Sequence, residues 1–207
     1  RRRRRRAART LPPTHWCSLK VNNATSCFPY QATPRTVSFW MRRPLRDSDS
    51  TILWYGNSYG NGKCYCLKLG RSGWPFIDMY NYGTDNNIVE GSTDGLGRAL
   101  CDGKWHHAAV TLWSENSRAY SEVWIAGNRA YKSYAAVSLN TSTAYSYASV
   151  GGYSAQGNWQ KSINGDLSRL RVYGRALSES EIKALSDELE LNYPFSSLSV
   201  QKPYHCH

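Results

Sequence analysis

The sequence predicts an all-β sandwich with one short C-terminal helix. Three observations carry that prediction. Short runs rich in Val, Ile, Thr, Trp and Tyr recur along the chain, separated by Gly, Asp, Asn and Ser turn clusters. A helical period appears only between residues 179 and 189. The aromatic load is 8 Trp and 15 Tyr against 4 Phe, within a 41% hydrophobic composition that excludes a disordered chain. At 207 residues the chain is long enough for one sandwich with a substantial core.

Residues 1–14 read as a basic arm, opening with Arg1, Arg2, Arg3, Arg4, Arg5 and Arg6 and stiffened at its exit by Pro12-Pro13. The predicted domain runs over 15–192, and 193–207 read as an extended tail. Within the domain, Thr36 to Met41 alternates polar and apolar, Thr51 to Tyr55 is a continuous apolar run, and Cys64 to Leu69 alternates again. Phe76 to Tyr80, Trp105 to Trp113, Tyr120 to Ile125, Ser149 to Gly152 and Leu167 to Tyr173 complete the predicted strands. Asp47-Ser48-Asp49-Ser50, Gly60-Asn61-Gly62, Asp94-Gly95, Asp102-Gly103 and Ala126-Gly127-Asn128 supply the turns. Ser178 with Glu181 has capping-box spacing, and Ile182, Leu185 and Leu189 fall on one helical face.

The net charge is +11, and without Arg1 to Arg6 it is +5. Such a run repels itself and stays solvated unless something binds it. No apolar stretch reaches the length of a membrane helix. The chain begins with Arg rather than Met, which is expected of a chain whose leader or propeptide has been removed, or of a fragment.

Six cysteines, Cys17, Cys27, Cys64, Cys66, Cys101 and Cys206, accompany two sequons at Asn23-Ala24-Thr25 and Asn140-Thr141-Ser142. Together they predict a secreted glycoprotein with a disulfide framework. Cys17 and Cys27 are close enough for a local clasp. Cys64 and Cys66 face the same side of a strand, roughly 6.5–7 Å apart, too wide for an easy mutual bridge. Each is expected to pair elsewhere, with Cys101 and Cys206 as candidates. A metal site built from Cys64, Cys66 and His205-Cys206-His207 departs from zinc-ligand spacing.

Three blocks resemble the laminin-G-like, concanavalin A-like lectin/glucanase family. They are Thr36-Val37-Ser38-Phe39-Trp40-Met41; Asp102-Gly103-Lys104-Trp105-His106-His107-Ala108-Ala109-Val110-Thr111 with Glu122-Val123-Trp124-Ile125-Ala126-Gly127-Asn128; and Ile163 to Tyr173 followed by Gly174-Arg175-Ala176-Leu177-Ser178. The resemblance spans roughly 15–192 and implies a jelly-roll sandwich of two antiparallel sheets. Ser168 and Arg169 stand where the family often has Asp-Glu, and Ala126 stands for the hairpin Asp. These departures weaken the calcium site that the resemblance suggests, for which the loop acids Asp47, Asp49, Asp85 and Asp94 are the candidates. Alternation along Trp105-His106-His107 places the two imidazoles on opposite faces, against a shared metal.

The same resemblance raises glucanase activity, which needs two carboxylates on one strand face. The nearest run, Asp187-Glu188-Leu189-Glu190, lies on the predicted helix and is expected to be a solvated face. With no nucleophile elbow and no phosphate loop, the chain is expected not to be an enzyme.

Two functions remain. As a recognition module, the chain binds glycans or extracellular proteins through aromatic rings. Trp54, Tyr55, Tyr59, Trp74, Tyr80, Tyr82 and Trp159 are candidates, about two-thirds of them expected to be packing. Trp74, Tyr82 and Trp159 are expected to be the more exposed, since turn residues flank them. As a structural subunit of an extracellular fibre or virion surface, the chain uses its arm against a neighbouring subunit and the Tyr-rich stretch from Tyr131 to Tyr153 as an interface. The expected polyanion for the arm is a sulfated or carboxylated glycan; disulfides and sequons argue against nucleic acid.

Overall fold

The computed structural model describes residues 19–44, 50–57, 62–70, 75–78, 87–88, 100–144, 148–155, 158–160, 163 and 165–188. The arm, Cys17, Cys206 and the tail from 193 lie outside them.

Thirteen strands, numbered β1 to β13 in chain order, form two antiparallel sheets and a small hairpin. One sheet orders β1 (Leu19–Val21), β10 (Ala148–Val150), β3 (Ser50–Gly56), β4 (Cys64–Leu69), β5 (Pro75–Asp78) and β6 (Asn87–Ile88). The other orders β13 (Asp166–Tyr173), β2 (Arg35–Arg42), β7 (His106–Glu115), β8 (Arg118–Ile125) and β9 (Asn128–Ala135). β11 (Tyr153–Ala155) pairs with β12 (Asn158–Gln160). The predicted two-sheet sandwich is observed.

Period-two alternation decides what faces what. Val37, Phe39 and Met41 of β2, Ala108, Val110 and Leu112 of β7, and Ala119 and Val123 of β8 point into the interface between the sheets. From the six-stranded sheet, Leu53, Tyr55, Tyr65 and Leu67 meet them. Charged side chains are sealed here too, Arg35 and Arg43 among them. Arg35 is fully buried and donates to the Tyr55 hydroxyl at 2.9 Å, the Thr141 hydroxyl at 2.8 Å and the carbonyls of Gln31 and Thr33. Every N–H of the guanidinium fork is thereby matched by an acceptor, which is what lets it stay buried. It ties the start of β2 to the Gln31–Thr141 bridge.

The helix α1 (Glu179–Asp187) starts at the predicted capping box. The Ser178 side chain accepts from the Glu181 N–H, and the Glu181 carboxylate accepts from the Ser178 N–H at 2.9 Å. Ile182 is fully buried and packs with Leu177, Ala109 and Trp124, flanked by Tyr173 and Leu185. α1 therefore covers part of the outer face of the five-stranded sheet. Leu189 lies outside the described residues. Arg175 places its guanidinium on the Glu181 carboxylate at 2.5 and 2.9 Å. Glu188 is not wholly solvated as expected: it bridges Arg169 at 3.2 Å and Arg171 at 2.7 Å on β13. That contact arises because Arg169 adopts a left-handed φ of 50° at a bulge.

Cys27 is disulfide-bonded. Cys64, Cys66 and Cys101 are buried, and the other predicted bridge partners, Cys17 and Cys206, lie outside the described residues. The predicted same-side placement of Cys64 and Cys66 does hold: both pack with Trp54 on the outer face of the six-stranded sheet.

Candidate functional site

Most of the rings singled out from sequence do not form a described surface. Trp74, Tyr82, Tyr59 and Tyr80 lie outside the described residues, as do Asp47, Asp49, Asp85 and Asp94. The Trp159 backbone sits in β12 opposite Ser154. Tyr55 is fully buried between the sheets and Trp54 is buried beside Cys64 and Cys66. Asn23 and Asn140 are both exposed. Among the described residues, no group of three His, Cys, Asp or Glu side chains converges as a metal site would require.

The two histidines separate as alternation requires. His106 Nε2 meets the Asp102 carboxylate at 2.7 Å. That hydrogen bond, then the Lys104 N–H, holds the Asp102 carboxyl below its usual range. His107 lies on the opposite face, hydrogen-bonded through Nε2 to the Ser38 hydroxyl at 2.9 Å and 5.5 Å from the Trp40 ring. Burial drives its pKa from 6.5 down to about 4, with the negative charge of Glu188 opposing that drop. At neutral pH the imidazole is uncharged. Ser38 and His107 are only 2% and 1% exposed, so this pair is sealed from any substrate that would need to reach the hydroxyl.

Beyond the reach of α1, the outer face of the five-stranded sheet carries a continuous row of rings. Trp113 of β7 is in register with Tyr120 of β8, and Tyr120 with Tyr134 of β9. Same-register residues on neighbouring strands share a face, so the three side chains stand together. Trp113 and Tyr120 stack with centroids 5.6 Å apart and planes 16° from parallel; Tyr120 and Tyr134 follow at 5.8 Å and 42°. Tyr134 is 54% exposed, the one large hydrophobic so exposed among the described residues. The register is set by the turn at Asn116 and Ser117, whose φ values of 49° and 60° make the tight hairpin that right-handed twist prefers. A slip of one residue would send all three rings into the core.

Cations cap the row at both ends. The Lys132 ammonium lies 5.1 Å from the Trp113 centroid, and the Arg118 guanidinium 4.9 Å from that of Tyr134. Glu122 stands beneath, accepting from Arg129 at 3.2 Å and pairing with Lys132 at 3.3 Å. The chemistry on offer is a row of aromatic rings with a cation at each end.

Sequence reasoning missed this row. Its signal was the two-residue Asn116-Ser117 spacer between strands, which puts Trp113 opposite Tyr120. Tyr134 fell inside the Tyr-rich stretch that was read as an interface.

A family model for the concanavalin A-like lectin/glucanases superfamily matches residues 18–183, and the chain belongs to that superfamily. Solved structures agree on the fold. A putative carbohydrate-binding protein from Bacteroides ovatus aligns at TM-score 0.52 and 16% identity, over 75% of this chain and 42% of that one. The heptameric SAP-like pentraxin of Limulus polyphemus aligns at 0.52 and 15%, over 82% and 75%. The CBM40 module of the Ruminococcus gnavus IT-sialidase, bound to α2,3-sialyllactose, aligns at 0.54 and 15%, over 79% and 85%. This chain thus spans less than half of the Bacteroides protein's length. No curated protein matches the sequence. No described helix is long and apolar enough to cross a membrane.

Proposed function

We propose that the chain is a non-catalytic, secreted recognition module that binds glycans or extracellular proteins through the open part of its five-stranded sheet. The observation that carries this is the Trp113–Tyr120–Tyr134 row, half-buried at Trp113 and Tyr120 and exposed at Tyr134. A sheet face that α1 leaves bare would ordinarily be polar, and exposed apolar patches mark binding surfaces. The superfamily and the carbohydrate-binding neighbours support the same reading.

The test is a screen of the whole chain against immobilised glycans and extracellular-matrix proteins, repeated with Tyr134→Ala. Binding that weakens in the variant supports the proposal. Binding that the variant leaves unchanged sinks the assignment of the face, and an empty screen sinks the recognition role.

A further inference from the structure

We infer that the aromatic row takes an anionic sugar, carboxylated or sulfated, and does so without a metal ion. This rests on the recognition reading above and names the ligand class of that face.

The argument begins with where the cations are. Arg118, Arg129 and Lys132 all stand on the outer face around the rings, against the carboxylates Glu122 and Glu115. Glu122 is shared by Lys132 and Arg129, so one acid serves two bases. Glu115 is opposite Arg118 in register, yet the Arg118 guanidinium lies over the Tyr134 ring. Two of the three cations are thus placed against aromatic faces, at the two ends of a row whose rings step by 5.6 and 5.8 Å. A cation beside an exposed ring offers two contacts to one ligand: the ring takes the apolar C–H face of a pyranose, and the cation takes an oxyanion on the same sugar. A neutral sugar would use the rings alone, whereas an oxyanion adds a charge-assisted contact to Arg118, which meets no carboxylate among the described residues, and to Lys132, which shares Glu122 with Arg129. The surplus of base over acid across the chain, +5 even without Arg1 to Arg6, attracts the same partners at long range.

Metal independence follows from the acid inventory of the face. Calcium needs six to eight oxygen ligands, several of them carboxylate. Here Glu122 is committed to two bases and Glu115 is exposed at the end of β7, opposite Arg118. The anion is held by Lys132 and Arg118 directly. An acidic glycan, rather than an acidic peptide, is favoured by the pairing of rings with cations, since the rings suit the C–H faces of a pyranose.

The experiment is calorimetric titration with matched ligands: lactose against sialyllactose, and desulfated against sulfated chondroitin tetrasaccharide. Each is run with native protein, Tyr134→Ala and Lys132→Gln, in calcium and in EDTA. Tyr134 and Lys132 are both exposed, so neither variant threatens the fold. The expected result is tighter binding of the more charged member of each pair, about fivefold or more weaker in either variant, and unchanged by EDTA. Equal affinity within each pair, lost on Tyr134→Ala, overturns the anionic class while the recognition face stands. Charge-selective binding that neither variant alters overturns the site. Loss of binding in EDTA overturns the metal-independent mode. No binding to any of the four overturns the ligand class, and the protein arm of the earlier screen then decides separately whether the face recognises anything.

Discussion

His107→Gln should make the protein less sensitive to acid. His107 is buried under α1 and titrates near 4, whereas in the unfolded chain it titrates near 6.5. Between those values the unfolded state binds the extra proton, so stability falls as the pH drops through the window from about 6.5 to about 4. The full depression is worth about 3 kcal/mol, at about 1.4 kcal/mol per pH unit. At pH 4.5 about 2.5 kcal/mol of it has gone. Its carboxylate neighbours Glu188 and Asp187 and the base Arg171 all bear on the shift, and they remain in the variant. Urea unfolding of both proteins at pH 7 and pH 4.5 isolates the imidazole as a difference of differences. The native protein should lose about 2.5 kcal/mol more than the variant over that interval. Equal losses would refute a buried neutral His107.

The glycines give a paired contrast. Gly127→Ala should lower stability by about 2 kcal/mol or more, because Gly127 has φ +76° and an added Cβ would lie 2.7 Å from Ser186 Oγ and 3.1 Å from Lys183 Cα on α1. Gly103→Ala shares the left-handed φ but meets nothing within 4 Å, so thermal unfolding should report about 1–2 kcal/mol there. Arg35→Met should cost about 3–5 kcal/mol in denaturant unfolding, since it strands the Tyr55 and Thr141 hydroxyls and releases the Gln31–Thr141 bridge. If the basic arm drives assembly, sedimentation velocity should show the native chain as a polymer or ring and a chain lacking residues 1–10 as a monomer; a native monomer of 23.4 kDa would end that idea.

The strands built from local alternation, β2, β4, β7 and β8, were legible because a period of two with turn residues at each end is a local signal. So was α1, from Ser178, Glu181 and Ile182. β9 was not, since its Arg129, Lys132 and Ser133 carry little strand propensity and pairing with β8 decides the matter. β1 and β6, of three and two residues, are too short to show a period. Cysteine pairing stays open for a different reason: sequence gives no distances between cysteines, and Cys17 and Cys206 lie outside the described residues. The aromatic row was missed because turn neighbours were used as the mark of an exposed ring. In this fold exposure on the outer face depends on where α1 lies. It covers Trp124 and leaves Tyr134 bare.

The central claim is that ligand meets the protein on the outer face of β7, β8 and β9. The direct measurement is a set of amide and aromatic NMR spectra of the labelled protein as the best binder from the glycan screen is added. Shift changes should concentrate on Trp113, Arg118, Tyr120, Lys132 and Tyr134, with the indole and phenol rings moving first. Changes confined to residues 71–99, or to the six-stranded sheet around Trp54, would contradict the account.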